Sequence, residues 1–224
     1  MANPFGGAVG ILGGSFNPVH NGHLRLAIEA REALGLSRVE LLPAKVPPHK
    51  GSSGLLPFEV RLSLLRLAVH GVDGLEANAL EGELPVPSYS YATLARLREL
   101  DPSARFVFVL GSTDFLTLPQ WHRGLELPLV TDMAVVDRLG LGQGAVDAFL
   151  DAHWDWSVEE GGARRITGGR RIVLVPMARL DVSASMVREK FCAGLETSGL
   201  VPEAVRGRML ADPHLFTDCW NVSP

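Results

Sequence analysis

The stretch AVGILGGSFNPVHNGHLRLAIEAREALG, residues 8–35, decides the reading of this chain. It opens on an unbroken apolar run (8–12) and turns through a segment with glycines at 13, 14 and 22 and a proline at 18. It leaves with Leu24, Ala27, Ile28 and Leu34 at helical spacing. An apolar run that does not alternate suits a strand buried on both faces of a parallel sheet. Gly35 is placed to stop the helix that follows. Strand, glycine-rich turn and helix together predict the opening of an α/β fold.

The same stretch carries chemistry. Gly13 and Gly14 let backbone approach a ligand closely, and Pro18 stiffens the turn. The helix beginning near Asn21 offers free N–H groups and a positive dipole end, which favour an anion. His20 and His23, three residues apart, can face one side there. Imidazoles in that position serve as hydrogen-bond donors to phosphate oxygens. The stretch has neither G-x-G-x-x-G nor G-x-x-x-x-G-K-[ST], so it is neither a dinucleotide fingerprint nor a P-loop.

Further along, the runs 39–42, 106–110, 133–136 and 172–175 read as strands. Leu62, Leu65, Ala68 and Val69 mark a second helix, and Leu94, Leu97 and Leu100 a third. The alternation predicts an α/β fold: a Rossmann-like open parallel sheet with helices on both faces and right-handed crossovers. A single domain over 1–224 is expected, with an insertion or long loop at about 140–171, where glycines, Trp154, Trp156 and a basic run are scattered. The polar clusters 13–20, 43–50, 111–114, 137–140 and 179–185 each follow a predicted strand. In an open parallel sheet such segments converge on the edge where ligands bind.

Composition narrows the function classes. The chain has 224 residues, 46% hydrophobic and 21% charged, with net charge −4, which argues against a nucleic-acid partner. No apolar run approaches the roughly 20 residues that span a bilayer, and the opening MANPFGGAVGILGG lacks the basic start of a signal peptide. Cys192 and Cys219 fit no ligand or C-x-x-C spacing, which suits a reducing compartment. A cytoplasmic protein without membrane contacts and without a protein-held metal is expected. A homo-oligomer is compatible with the sequence, which does not specify one.

GGSFNPVHNGH (13–23) resembles the signature G-[TS]-F-[DN]-P-x-H-x-G-H of the H-x-G-H nucleotidyltransferases. LPAKVPPHK (42–50), SYSYATL (88–94), LPQW (118–121) and DVSASMVR (181–188) narrow the resemblance to the bacterial nicotinate mononucleotide adenylyltransferase family. The matches run in the family's order from residue 11 to about residue 210. The resemblance implies the nucleotidyltransferase fold and adenylyl transfer: ATP and nicotinate mononucleotide give nicotinate adenine dinucleotide and pyrophosphate, with Mg²⁺ assisting. It implies catalytic roles on the phosphates for His20, His23 and Arg188. On the ATP side it implies Gly13, Gly14, Ser15, Phe16, Gly111, Thr113, Arg138, Ser183 and Ser185. Lys45, His49 and Lys50 would supply cations to the mononucleotide phosphate or the triphosphate. The backbone N–H of Ser90 would receive the nicotinate carboxylate, and Trp121 would stack on the pyridine ring.

Two departures bear on the adenosine side. Thr113 stands where the family has an aspartate, with Asp114 one later, and the family's R-P-G is Arg138-Leu139-Gly140. Two other readings stand beside the first. One is a sister enzyme acting on nicotinamide mononucleotide or pantetheine phosphate, although the pantetheine enzymes usually lack P-P-H-K and S-Y-[ST]. The other is a nucleotide-binding regulatory protein without turnover.

Overall fold

The computed structural model describes residues 5–48 and 53–221. Its strands are β1 (Val9–Gly14), β2 (Arg38–Pro43), β3 (Leu75–Ala77), β4 (Phe106–Gly111), β5 (Asp132–Asp137), β6 (Trp156–Val158), β7 (Arg164–Ile166) and β8 (Arg171–Pro176). Its helices are α1 (Asn21–Leu34), α2 (Phe58–Val69), α3 (Ser90–Leu100), α4 (Ser112–Leu116), α5 (Leu127–Val130), α6 (Gly142–Asp151), α7 (Ala184–Cys192), α8 (Glu203–Ala211) and α9 (Pro213–Trp220). Every continuous apolar run is a strand, and in β2, β4 and β5 all but the first residue are buried.

The strands form one eight-stranded sheet in the order β3-β2-β1-β4-β5-β8-β7-β6. β1, β4, β5 and β8 run parallel, so their carboxyl ends share one edge. β6 and β7 are antiparallel additions beside β8. The order reverses direction at β1, which has β2 on one side and β4 on the other. In an open α/β sheet the crevice at such a switch point is where ligands bind.

The chain divides into two compact units. One runs to Gly13 and takes in Leu26–Glu40 and Tyr89–Arg179; the other comprises Gly14–Arg25, Leu41–Ser88 and Leu180 onward. The core of the first unit is built on Ile11, Val109, Met133, Ala134, Val135, Leu150 and Ile172. That of the second centres on Leu62, Leu64, Leu65, Val187, Val205, Met209 and Phe216. Each Val, Leu, Ile, Met or Phe side chain among them contributes about 1.5–3 kcal/mol on burial.

Within the first unit, Gly10 lets β1 lie close to Leu36 and Val39, whose methyls would stand 2.9 Å from any Cβ there. Helix α1 ends where Gly35 takes a left-handed φ of 57° and the Leu36 N–H returns to the Arg31 carbonyl at 3.0 Å. That is the Schellman bond that glycine at this position permits. Residues 140–171 carry α6 and the β6–β7 hairpin, with Arg164 buried against Asp147 at 2.7 Å. Among the described residues, no helix is long and apolar enough to cross a membrane.

Candidate active site

In the second unit the glycine-rich turn is held from several directions. Phe16 adopts a left-handed φ of 46°, which a non-glycine residue keeps only when its surroundings over-determine it. Asn17 supplies much of that constraint. Its amide donates to the Gly54 carbonyl at 2.6 Å, and its Oδ1 accepts from Leu56 N–H at 3.1 Å and Trp220 Nε1 at 3.4 Å. The ring of Phe16 packs edge-on against His23 at 4.8 Å. It also fills the space that a side chain on Gly14 would need, 3.1 Å away.

His20 and His23 are brought together as the helical spacing predicts, their rings stacked at 3.6 Å with 27° between planes. The N–H of His20 donates to Nδ1 of His23 at 3.2 Å. An Nδ1 that accepts leaves the proton of the neutral ring on Nε2, so His23 presents Nε2–H as a donor. Gly22 makes the stack fit. A Cβ there would stand 3.0 Å from Nδ1 of the buried His20 and 3.4 Å from the Val182 carbonyl.

Arg188 reaches the same turn. Its Nη1 donates to the Asn17 carbonyl at 2.8 Å and its Nη2 to the Ser185 hydroxyl at 3.1 Å. Ser183 is the N-cap of α7, its hydroxyl accepting from Met186 N–H at 3.2 Å. Arg188 is the fifth residue of that helix, just beyond the first turn. Lys45 follows β2, but its ammonium is spent within the fold on the Gly82 carbonyl at 2.7 Å. His49 and Lys50 lie outside the described residues.

Sequence reasoning passed over Arg61. It sits fully buried on α2 with each nitrogen of its guanidinium used: Nε donates to Leu56 O at 2.8 Å, Nη1 to Ser15 O at 2.8 Å and Nη2 to Lys45 O at 3.1 Å. Burial lowers its pKa to about 10, with Glu81 opposing the shift, so it stays cationic at neutral pH. One buried cation thus joins the turn after β1 to the segment after β2. A signal for it exists, since Arg61 precedes Leu65 by four residues and Ala68 by seven, on the helix's apolar stripe.

The first unit holds the remaining candidates. Gly13, the last residue but one of β1, and Gly111, the last of β4, lie at the carboxyl ends of adjacent parallel strands at the switch point. Gly13 has room around it, the nearest atom to a Cβ being Phe108 at 4.0 Å. Beyond Gly111 comes α4, with Thr113 exposed and the Asp114 carboxylate folded back to within 3.4 Å of where a Gly111 Cβ would lie. Arg138 leaves β5 half-exposed. The segment after β5 is pinned by Asp137, a second residue passed over in the sequence. Its buried carboxylate accepts from the Ser112 hydroxyl at 3.0 Å, Leu141 N–H at 3.0 Å and Gly142 N–H at 2.8 Å. Burial alone would push this carboxyl up; the bonds from Gly142, Leu141 and Ser112 outweigh it and hold the group below the usual carboxylate range.

Ser90 begins α3, whose N-terminus carries no side-chain cap. Trp121 closes a 3-10 turn over Leu118–Gln120, its Nε1 donating to Thr117 Oγ1 at 3.1 Å and its ring edge-on to Phe108 at 6.5 Å.

Residues 11–190 match the cytidylyltransferase-like family model. A "Probable nicotinate-nucleotide adenylyltransferase" of Pelobacter propionicus is 34% identical over 94% of this chain and 99% of its own length. Its namesake from Chromohalobacter salexigens is 38% identical over 91% of this chain and 93% of its own. The chain belongs to the nicotinate-nucleotide adenylyltransferase family. The fold agrees. Plasmodium falciparum nicotinic acid mononucleotide adenylyltransferase, solved with NaAD, matches 94% of this chain and 98% of its own with a TM-score of 0.71 at 16% identity. The same enzyme solved with APC matches with a TM-score of 0.69 at 15% identity, covering 93% of this chain and 97% of that one. In this nicotinate-nucleotide adenylyltransferase family member, Asp137 ties down the segment Arg138-Leu139-Gly140, which has no proline of its own to stiffen it.

Proposed function

We propose that this protein transfers the adenylyl group of ATP to nicotinate mononucleotide, releasing pyrophosphate and forming nicotinate adenine dinucleotide. A phosphate oxygen of the mononucleotide attacks the α-phosphorus, a P–O bond forms, and the bond from that phosphorus to the bridging oxygen breaks as pyrophosphate leaves. No enzyme nucleophile is needed, so catalysis is alignment and stabilisation of developing charge. The observation that carries the reading is the His20–His23 stack, in which the His20 N–H sets the His23 tautomer. Nε2–H of His23 would donate to phosphate oxygens, with His20 beside it. Arg188, anchored on the Asn17 carbonyl, would add a fixed positive charge.

ATP would enter as its Mg²⁺ complex, the ion drawing negative charge off the triphosphate. Among the described residues no group of three His, Cys, Asp or Glu side chains is placed to hold a metal. The ion would then be held mainly by the nucleotide's own phosphates and water, as is usual for nucleotide-borne Mg²⁺. Gly13, Gly14, Ser15 and Phe16 would lie against the nucleotide, and Gly111, Thr113, Arg138, Ser183 and Ser185 would complete its contacts. Asp114, turned back to Gly111, is the carboxylate best placed to stand in for the family's aspartate.

On the other substrate, Trp121 would stack on the pyridine ring. The uncapped N-terminus of α3 at Ser90 would receive the ring carboxylate, which suits the unpaired N–H groups and positive dipole end of a first turn. An amide would present an NH₂ to those same donors, and no acidic side chain lies within residues 87–94 to accept from it. His49 and Lys50 would act at phosphate from the segment after β2, and Lys45 would join them only by releasing the Gly82 carbonyl. A cytoplasmic setting fits these substrates.

The test is pyrophosphate release from ATP and Mg²⁺ with each mononucleotide. We expect turnover to depend on added mononucleotide, with kcat/KM favouring the nicotinate form by at least about tenfold, or roughly 1.4 kcal/mol. Equal constants would remove the carboxylate assignment. Turnover with pantetheine phosphate alone, or none with any acceptor, would replace the reading with one of its two rivals.

A further inference from the structure

Two segments of the first unit, far apart in the chain, meet at adjacent points. The ring of Tyr89 lies 4.2 Å from that of His122, tilted by 31°, and the Arg123 guanidinium stands 3.6 Å above the ring of Tyr91. Ser90, whose N–H opens the uncapped α3, falls between the two tyrosines, and Trp121 directly precedes the two partners. One ring pair would fix a distance and leave a hinge. Two pairs, one residue apart on the partner segment and two apart across the start of α3, fix the angle as well.

The partner segment is built for this contact. Arg123 holds a left-handed φ of 55°, a conformation that a long side chain adopts only under constraint. That backbone lets its Nε and Nη2 engage both oxygens of Glu126 while its flat face covers Tyr91. Planar guanidinium is the group that can pair with a carboxylate in its plane and stack on an aromatic ring at its face. The turn is closed tightly behind it: Gly124 N–H returns to the Trp121 carbonyl at 3.0 Å, and a Cβ on Gly124 would sit 2.0 Å from the Leu118 carbonyl oxygen. Trp121 is fixed on its own side by Thr117 and Phe108. The stability of α3 rests elsewhere, on buried Thr93, Leu94 and Leu97. His122 and Arg123 are exposed, so their contacts across to α3 contribute geometry more than core.

We propose that Tyr89, Tyr91, His122 and Arg123 are positioning residues that clasp the N-terminus of α3 to the Trp121 turn, and that this clasp sets the preference for a ring carboxylate over a ring amide. The inference rests on the proposed substrate reading. A planar acid needs its ring on Trp121 and its carboxylate on the α3 N–H groups at once. The two grips discriminate only while their separation is held.

Arg123→Gly isolates the clasp, because glycine accepts the left-handed backbone while the whole side chain, with its contacts to Tyr91 and Glu126, is removed. We expect its melting temperature to stay near that of the wild type. KM for nicotinate mononucleotide rises about five- to tenfold, KM for ATP is unmoved, and the nicotinate-to-nicotinamide ratio of kcat/KM falls by a similar factor. Arg123→Lys, which keeps a cation over Tyr91, restores part of the ratio. Tyr91→Phe, which keeps the ring face, behaves as wild type, and Tyr91→Leu matches Arg123→Gly. An unchanged ratio in Arg123→Gly, or an equal rise in both KM values, overturns the clasp.

Wild-type turnover tests the substrate reading separately. A readout independent of turnover is hydrogen exchange at the Trp121 indole N–H, its resonance assigned with Trp121→Phe. Exchange in Arg123→Gly is expected to quicken; identical exchange in the two proteins overturns the clasp whatever the substrate proves to be.

Discussion

Replacing Asp137 with alanine removes an acceptor that three donors share. The Ser112 hydroxyl is fully buried and 25 residues away in sequence, so its loss of a partner leaves an orphan costing about 1–3 kcal/mol. The N–H groups of Leu141 and Gly142 belong to exposed residues and can turn to water, so each loses about 0.5–1 kcal/mol. The total is about 3 kcal/mol, which for a chain of this size lowers Tm by about 6–12 °C. Function should follow, because the freed segment begins at Arg138, on the proposed adenosine side. KM for ATP is expected to rise about tenfold, equivalent to 1.4 kcal/mol, with that for the mononucleotide unmoved.

The pH dependence gives a second reading of the same group. The folded pKa of Asp137 is depressed, so its contribution is fully present above the unfolded value near 3.9 and is lost as pH falls through the lower folded value. The gap in Tm between wild type and Asp137→Ala should therefore be constant from neutral pH down to about 4 and shrink below it. Asp137→Asn should fall between the two proteins, since one side of its amide would face an N–H with another N–H. Differential scanning calorimetry across pH, with steady-state kinetics at neutral pH, makes the measurement. An alanine variant that melts within a degree of wild type and keeps its KM for ATP would refute the reasoning.

Five other substitutions probe the site. His20→Ala and His23→Ala should each lower kcat by about 10²–10³ with modest change in ATP binding, as seen by single-turnover kinetics and calorimetry; a fully active double variant would end the catalytic assignment. Gly22→Ala should uncouple stability from activity: alanine favours α1 by up to about 1 kcal/mol, so Tm stays within about 3 °C of wild type, while crowding at His20 lowers kcat about tenfold or more. Arg61→Met should strand three carbonyls, two of them on site segments, and lower stability by about 3 kcal/mol with a drop in kcat/KM of more than tenfold; thermal melts and kinetics on the same sample check both. Trp121→Ala should raise KM for the mononucleotide and leave that for ATP in place; the opposite pattern in steady-state kinetics would put this indole on the adenosine side.

The sequence by itself determined what short-range geometry dictates. Apolar runs of four or five residues are strands because burial on both faces needs no partner to be named, and Gly35 ends α1 because only its own φ matters. His20 and His23 meet because residues three apart share a helix face, and Ser183 caps α7 through a bond to a residue three further on. β3, β6 and β7 span three residues each, too short for any period to register, and they exist because a neighbouring strand is already there. The tertiary structure alone decided the partners of Arg61, Asp137 and Arg123. Arg61 finds Ser15 46 residues away, and Asp137 finds Ser112 25 residues away. A buried charge must be met by polar groups wherever the topology delivers them, and no local pattern says which carbonyl or hydroxyl that will be. The motif residues were therefore legible one by one, whereas the groups that hold them in place became visible only once the chain had closed on itself.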